Sequence, residues 1–295
     1  MVSTESPAVA RRRLRIALRK ARDARGFTQS HVADSLEWSL SKVNRIENGE
    51  VTVSSTDLRA LLSLLGITDA DTIERMTRDA RISRQRGWWD DPTYREHLTS
   101  GTLQLLQFES QATAIRSYQP TVIPGVLQTR GYAEMVLDFW SHDLTDPVRS
   151  ARLEVRMLRR THVIDRPDPP AYLVVLDESV LHREIGGPKV MAEQLEELAG
   201  FVENPNVMVR VVPLADAGLA TMIGAFTVFD LGDEENAILY REAPLTDDIN
   251  HTSEMVQRYR NMFEQMWDVS LSEDASARRI RARAANLLAS LDRHP

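Results

Sequence analysis

The chain has 295 residues, 42% of them hydrophobic, and a formal net charge of −7, so it exceeds the usual size of one domain and two domains are expected. It contains no cysteine, which excludes disulfides, zinc sites with thiolate ligands and thiol catalysis. No apolar run approaches the roughly 20 residues of a membrane span and no signal-peptide pattern opens the chain, so a cytoplasmic protein with no membrane partner is expected.

The charge is distributed unevenly along the chain. Through Arg86 there are 16 Lys and Arg against 11 Asp and Glu, and the remainder holds 20 of the 36 basic and 32 of the 43 acidic residues. A basic N-terminal part followed by an acidic part is expected when the first part binds phosphate groups and the second does not. The basic excess is modest, so tight binding is expected to need two modules.

Apolar spacing and capping residues predict five helices in the N-terminal part. The first covers Arg11–Arg25, and its run of Arg11, Arg12, Arg13 and Arg15 either touches a DNA backbone or forms a solvated face. Two short helices lie between Gly26 and Gly49. A fourth helix is predicted from Ser54 to Leu65, and a fifth follows Asp69 and ends near residue 86.

The two short helices have the features of a helix-turn-helix unit. Thr28 and Ser39 can cap them, because each side-chain oxygen can accept a hydrogen bond from the first turn. Their buried faces are predicted to hold Val32, Ala33, Leu36, Val43 and Ile46. About three residues separate the helices, and the small Ala33 stands where their backbones must approach.

The second short helix then exposes a set of side chains suited to DNA, namely Leu40, Ser41, Lys42, Asn44 and Arg45. Arginine can hold guanine O6 and N7, asparagine can hold adenine N6 and N7, and an apolar side chain can touch a thymine methyl. Gln29 opens the preceding helix, where its amide and the helix N-terminus can hold a phosphate. For each residue taken singly, the alternative is an ordinary solvated helix face.

Residues from about Leu14 to Leu65 resemble the Xre family of phage-repressor-type regulators, through Phe27-Thr28-Gln29, residues 39–45 and Ile46-Glu47-Asn48-Gly49. The resemblance implies a five-helix DNA-binding domain. It places Gln29, Leu40, Ser41 and Arg45 at or near bases, Thr28 and Asn48 at phosphates, and an internal salt bridge between Arg22 and Glu47. The family usually has glycine where this chain has Glu37, so the turn either carries strain or is built differently.

Two adjacent tryptophans, Trp88 and Trp89, mark the predicted domain junction. They are costly to leave in water, so a plug between domains is favoured over a ligand site. The predicted division is a DNA-binding domain at residues 1–86, a tryptophan-rich junction at 87–100 and a second domain at 101–295.

The second domain is predicted to be α+β, with a small mixed sheet and helices packed on it. Helical patterns cover Gly101–Tyr118, Thr129–Trp140, Pro147–His162, Ser253–Trp267 and Ser272–Leu291. Four β-rich segments, AYLVVLD, NVMVRVV, AFTVFDL and AILYRE, lie beyond Pro170, and a helix opened by Pro188 separates the first two.

This domain also resembles a known group. The segments GWW at residues 87–89, YQPTVIPGVLQTRGYAE at 118–134, VVLDESVLHREIGGPKVMAEQL at 174–195 and NPNVMVRVVPL at 204–214 are similar to the C-terminal domain of WhiJ-like, antitoxin-type Xre regulators of actinobacteria. The resemblance implies a transcriptional regulator, often paired with a small protein encoded beside it. The C-terminal domain would then receive a protein partner or a small-molecule effector.

Catalysis has weak support in the sequence. Asp177, Glu178 and His182 cluster after a strand and could serve acid–base or metal chemistry. Their spacing is not that of HExxH, and no P-loop, GxGxxG or G-x-S-x-G motif is present. We therefore expect no enzyme, no metal site and no cofactor.

Two other features have competing interpretations. Gly186-Gly187-Pro188 could cradle an anionic group, although a plain tight turn is the simpler interpretation. Arg149, Arg152, Arg156 and Arg160 form a basic stripe that could dock an acidic partner, although pairing within the chain is favoured.

The sequence thus predicts a sequence-specific DNA-binding transcriptional regulator, a repressor rather than an activator. A pseudo-palindromic operator requires a homodimer, because two recognition helices must reach major-groove faces about 34 Å apart. The dimer surface is expected in the second domain. The alternatives are an antitoxin-type protein that mainly sequesters a small partner and an enzyme with a DNA-targeting module.

Overall fold

A computed structural model of the chain describes residues 7–49, 51–84, 86–139, 144–216, 218, 220–232, 237–242 and 247–291. The chain divides into two units, Met1–Trp88 and Trp89–Pro295. None of the helices in the described ranges is both long enough and apolar enough to cross a bilayer.

The described residues of the N-terminal unit form the five predicted helices, which are α1 (Pro7–Ala24), α2 (Gln29–Leu36), α3 (Leu40–Glu47), α4 (Ser55–Leu64) and α5 (Ala70–Ile82). Thr28, Ser39, Ser54 and Asp69 cap α2 to α5, each accepting a hydrogen bond from the backbone N–H three residues on. The predicted helical domain is confirmed, and α1 begins four residues before the predicted Arg11.

One hydrophobic core holds these helices together. Its buried members are Leu14, Leu18, Val32, Ala33, Val43, Ile46, Val53, Leu58, Leu61, Leu62, Leu65, Met76 and Ala80. Each large aliphatic side chain buried in this way stabilises the fold by about 1.5–3 kcal/mol. Because every one of the five helices contributes to this core, α3 is held on a rigid support.

The turn between α2 and α3 places a non-glycine residue in the left-handed region. Glu37 has φ 56° and ψ 38°, and it is the only described residue other than glycine with positive φ. The Trp38 N–H donates to the Ala33 carbonyl at 2.9 Å and the Glu37 N–H to the Asp34 carbonyl at 3.3 Å. This is a Schellman motif, in which glycine normally takes the left-handed position. Of the two alternatives at Glu37, the structure therefore has the strained one.

Glu37→Gly is expected to raise the free energy of unfolding by about 0.5–1 kcal/mol. The left-handed conformation costs a non-glycine residue about 1–2 kcal/mol, and the extra freedom of glycine in the unfolded chain offsets part of the gain. Urea denaturation of the full chain measures the change. Glu37→Ala is the matched control, since it removes the same side chain and keeps Cβ. An equal rise in both variants would assign the gain to the lost carboxylate instead.

The C-terminal unit combines helices with one sheet. Its described helices are α6 (Pro92–Arg95), α7 (Ser100–Gln111), α8 (Arg130–Asp138), α9 (Asp146–Val163), α10 (Ser179–His182), α11 (Gly187–Gly200), α12 (Ser253–Val269) and α13 (Glu273–Leu291). The strands are β1 (Ala114–Gln119), β2 (Ala171–Asp177), β3 (Val207–Val212), β4 (Phe226–Asp230), β5 (Ala237–Arg241) and β6 (Asp248–Asn250), in the order β3-β2-β1-β4-β5-β6. The first three strands of that order are parallel and the remaining pairings are antiparallel. The α+β prediction is confirmed.

Helices pack on both faces of this sheet. On one face, α12 buries Val256, Phe263 and Met266 against strand residues that include Tyr118 and Val228. On the other face, the ring of Phe108 in α7 lies 5.8 Å from that of Phe229 in β4. The outer edge of β3 is partly covered, because Leu271 donates to the Val211 carbonyl at 2.9 Å and the Ser276 hydroxyl accepts from the Val211 N–H at 3.0 Å. Capping an edge strand in this way limits its pairing with other chains.

The structure corrects two predictions about secondary structure. The helix predicted over Gly101–Tyr118 ends at Gln111, and the chain then forms β1, which lies between β2 and β4. The predicted sheet also lacked the three-residue β6. β1 is defined by pairing with strands far along the chain, and β6 by pairing with the preceding strand β5. In both cases pairing outweighs local propensity, which is strongly context-dependent in β-sheets. The predicted end of α8 at Trp140 lies outside the described residues.

Candidate nucleic-acid interface

The outer face of α3 carries most of the side chains that the sequence selects for DNA contact. Val43 and Ile46 are buried, at 3% and 4% exposure, so the opposite side of the helix faces outward. Leu40 is 46% exposed, Ser41, Arg45 and Asn48 are exposed, and Asn44 is half-buried. One apolar, one hydroxyl, one amide and one guanidinium side chain thus lie on a helix of eight residues, and a second amide, that of Asn48, lies at its C-cap.

Lys42 departs from the predicted outward set. Its Nζ lies 2.8 Å from Asp57 Oδ1 in α4 and 3.8 Å from the centre of the Trp38 ring. Burial raises the pKa of Asp57, but hydrogen bonds with Lys42 and Ser54 outweigh it and hold that pKa below its ordinary value. In this structure Lys42 therefore ties α3 to α4 instead of projecting with Ser41 and Arg45.

A buried ion pair fixes the C-terminal end of α3. Arg22 of α1 donates from Nε to Glu47 Oε1 at 2.6 Å and from Nη2 to Glu47 Oε2 at 3.0 Å. The two side chains are only 11% and 7% exposed. The hydrogen bond with Glu47 holds the pKa of Arg22 above its ordinary value although burial opposes it. This is the salt bridge that the Xre resemblance implies, and it joins α1 to the last residue of α3.

Gln29 joins the same network. Its Nε2 donates to Glu47 Oε2 at 2.8 Å, so one of its two amide hydrogens is used within the protein. The other amide hydrogen and the amide oxygen could contact DNA. If that amide hydrogen donates to a phosphate, the contact sets the register of α3 on the duplex without reading sequence. The structure thus places Gln29 beside the end of α3.

Thr28 and Asn48, for which the resemblance implies phosphate contacts, are the capping residues of α2 and α3. The Thr28 hydroxyl oxygen accepts from the His31 N–H at 3.1 Å, and both Thr28 and Asn48 are exposed. The Asn48 carbonyl accepts from Arg15 Nη1 at 2.7 Å. Trp38 and Asp57, which hold Lys42, were not identified from the sequence, because their roles depend on the packing of α3 against α4.

The candidate catalytic cluster of the C-terminal unit is engaged in local structure. Asp177 Oδ1 accepts from the Ser179 N–H at 2.8 Å, and Glu178 Oε2 accepts from the Leu214 N–H at 3.0 Å. Both carboxylates are buried, whereas His182 is exposed. Across the described ranges, no group of three His, Asp or Glu side chains is arranged to hold a metal ion.

The basic stripe on α9 pairs within the chain. Arg149 contacts Asp138, Arg152 donates to the His97 carbonyl, Arg156 donates to Gln128 and Arg160 contacts Glu197. The prediction of intramolecular pairing is confirmed.

At the start of α11, Gly186 and Gly187 have φ values of 77° and 82°, and a Cβ on Gly186 would lie 2.6 Å from Met135 Cγ. The positive φ values and the close packing both require glycine, which supports a plain tight turn at Gly186-Gly187-Pro188 over an anion-binding site.

Comparison with known families matches both parts of the chain. The family described as Helix-turn-helix domain matches residues 13–75, from α1 into α5. The family described as Domain of unknown function (DUF5753) matches residues 102–282, more than half of the chain. Searches of curated proteins and of solved structures found no match. The chain therefore belongs to the DUF5753 family and carries a helix-turn-helix domain in front of the DUF5753 region.

Proposed function

We propose that this protein is a sequence-specific transcriptional regulator of the Xre type, with α3 as its recognition helix. The observation that carries the proposal is the exposed face of Leu40, Ser41 and Arg45 on a helix whose end is anchored by the buried Arg22–Glu47 pair. The helix-turn-helix match over residues 13–75 supports DNA as the partner. An α-helix fits the major groove of B-DNA, where base edges can be distinguished.

Each part of the site has a role in this proposal. Arg45 is the residue best suited to read a guanine, and Leu40 to touch a thymine methyl. Thr28, Gln29 and Asn48 surround the ends of α2 and α3, where phosphate contacts fix the orientation of α3. The Arg22–Glu47–Gln29 network keeps these groups in place before DNA arrives, so little side-chain ordering has to accompany binding.

We further propose that the chain acts as a homodimeric repressor of the WhiJ-like, antitoxin-type group. A two-fold dimer presents two copies of α3 to the two halves of a pseudo-palindromic operator. The modest basic excess of the N-terminal part supports a need for two copies. We place the dimer contacts in the C-terminal unit, and we propose no catalytic role for Asp177 and Glu178.

The C-terminal unit is proposed to receive the controlling signal. Two large apolar side chains, Leu214 and Met222, are 58% and 84% exposed on the connection between β3 and β4. A protein partner that covered these two side chains would remove apolar surface from water, which favours binding. A small protein that co-purifies and releases the operator would support this control. One that co-purifies while operator binding stays unchanged would favour sequestration as the main role.

Selection from a random duplex library tests the proposal with the full-length chain. The expected product is an inverted repeat whose half-site centres lie about 10–10.5 base pairs, or a multiple of that, apart. Recovery of no common sequence would contradict sequence-specific binding.

A fragment ending at residue 86 provides the comparison for the dimer. It is expected to stay helical by circular dichroism, because the core of α1 to α5 lies within it. It is also expected to sediment as a monomer and to bind the selected operator at least tenfold more weakly, since linking two modules adds avidity of about 10²–10⁴. A tightly dimeric fragment would place the interface in the N-terminal unit instead.

A further inference from the structure

Three arginines lie on the side of α1 that runs along the end of the recognition helix. Arg15, Arg19 and Arg22 are spaced four and three residues apart, which puts them on one helix face. Arg22 binds Glu47, the last residue of α3, and Arg15 donates to the carbonyl of Asn48, the next residue, at 2.7 Å. Arg19 lies between Arg15 and Arg22 and is exposed.

Arg11 and Arg13, at the start of α1, are directed elsewhere. Arg11 Nη2 donates to the Ser83 carbonyl at 3.0 Å, and Arg13 Nη2 lies 2.6 Å from Asp79 Oδ1. Both partners are at the α5 side of α1. Within the run of arginines, Arg11 and Arg13 therefore bind the α5 side, whereas Arg15 binds the end of α3.

Among the described residues, no carboxylate forms an ion pair with Arg15 or Arg19 beside α3. Burial, together with the like charges of Arg12 and Arg19, lowers the pKa of Arg15 to about 10. Within the described part of the chain, neither Arg15 nor Arg19 forms an ion pair, because Glu47 is held by Arg22 and Gln29 and Asp23 is held by Arg22. Clustered like charges repel in the free protein and favour an anionic partner.

The C-terminal end of α3 needs such a positive group if DNA is to approach it. The last carbonyls of a helix carry partial negative charge, which repels phosphate. The guanidinium of Arg15 binds one of these carbonyls, that of Asn48. Gly49 allows the approach, since a Cβ at that position would lie 3.2 Å from Arg15 Cδ. A phosphate at this end of α3 would then meet arginine groups as well as carbonyl oxygens.

We propose that Arg15 and Arg19 form a phosphate clamp that holds the DNA backbone at the C-terminal end of α3. The clamp rests on the proposed DNA-binding function and adds to it a contact surface on α1. Because phosphates are the same in every sequence, the clamp contributes affinity and register but no sequence preference.

The test measures salt dependence with the full-length chain carrying Arg19→Gln. Dissociation constants on the selected operator and on an unrelated duplex are measured at salt concentrations from about 50 to about 300 mM, a range that includes physiological salt. Arg19→Gln is expected to weaken both complexes by the same factor, severalfold at about 150 mM salt. It is also expected to reduce the salt slope, the slope of the logarithm of affinity against the logarithm of salt concentration, by about 0.9 per bound protomer. The ratio of the two affinities is expected to stay unchanged.

Arg75→Gln is the matched control. Arg75 is also an exposed arginine of the N-terminal unit, but it lies on α5 and donates to Thr72 in its own helix. The Arg75→Gln variant also removes one positive charge, but at a site away from α3, so the salt slope should stay at the wild-type value. Equal slope changes in the Arg19 and Arg75 variants would overturn the clamp and leave a general charge effect.

Two further measurements separate the clamp from folding and from the proposed function. Arg19→Gln is expected to melt no lower than the wild-type chain, and Arg19→Lys is expected to restore the salt slope because lysine also binds phosphate as a point charge. A lysine variant that behaves like the glutamine variant would overturn the clamp. If the wild-type chain binds no duplex, DNA binding itself fails; if it binds and Arg19→Gln keeps the wild-type slope, only the clamp fails.

Discussion

Glu47→Ala is expected to lower the free energy of unfolding by about 3 kcal/mol, the low end of the range for removing one partner of a buried ion pair, because Arg22 keeps its contact with the exposed Asp23 at 2.8 Å. Arg22 would keep its charge in a site where its side chain is 11% exposed, and Gln29 would lose its acceptor. A domain of this size is stable by only about 5–15 kcal/mol in total. Urea denaturation followed by circular dichroism measures the loss.

Replacing both partners separates charge burial from packing. The double variant Arg22→Met, Glu47→Leu is expected to recover much of the stability, because apolar replacements of a buried ion pair are often neutral or stabilising. Lys42→Ala is a comparison for a less buried pair, since the side chains of Lys42 and Asp57 are 37% and 25% exposed, and it should cost about 1 kcal/mol or less. A similarly small loss for Glu47→Ala would show that this pair is not structurally important.

The double variant also tests the role of the network in recognition. It removes the carboxylate that holds Gln29 at 2.8 Å while keeping an apolar group at the end of α3. We expect a folded protein with weaker operator binding, because Gln29 would have to be ordered when DNA binds. Operator affinity equal to that of the wild-type chain would limit the network to stability.

Arg45→Ala is expected to weaken binding to the selected operator by about 1–3 kcal/mol, or roughly 5- to 150-fold, and to relax specificity at one base pair. Arg45 is exposed on the last turn of α3, on the side opposite the buried Val43 and Ile46. Titrations against operators carrying each of the four bases at every position measure the change. The preference should disappear at one position in each half-site and stay at the others.

Arg19→Gln is the natural comparison for Arg45→Ala. If Arg45 reads a base, its loss depends on sequence, whereas a phosphate-binding arginine loses the same factor on every duplex. An Arg45→Ala variant that weakens all sequences equally would place Arg45 on the backbone. The recognition role would then have to be carried by Leu40, Ser41 and Asn44.

Most of the N-terminal unit could be predicted because its signals are local. The caps at Thr28, Ser39, Ser54 and Asp69 each act on an N–H three residues away. The buried stripes of the helices likewise follow from the 3.6-residue period. The sequence predicted either a strained left-handed conformation at Glu37 or a turn of different geometry. It did not distinguish the two, because the turn conformation depends on how α2 and α3 pack.

The C-terminal sheet was harder to predict, because its central strand is defined by distant partners. Ala114 in β1 pairs with Ala171 on one side and with Asp230 on the other. The apolar residues of β1 also continue a helical spacing from α7, so a window of sequence can extend that helix through them. The short β6 contains Asp248 and Asn250, residue types that are rare in strands, and pairing with β5 alone identifies it.

The sequence by itself determined the five-helix unit with its exposed α3 face and the α+β class of the second unit, because capping and periodicity act over a few residues. Only the tertiary structure decided which polar side chains of the five-helix unit are held by contacts within the protein. Lys42 turns to Asp57, Gln29 to Glu47 and Arg15 to Asn48, across separations of 15, 18 and 33 residues. Such contacts depend on how helices pack, and packing is set by the whole core rather than by neighbours along the chain.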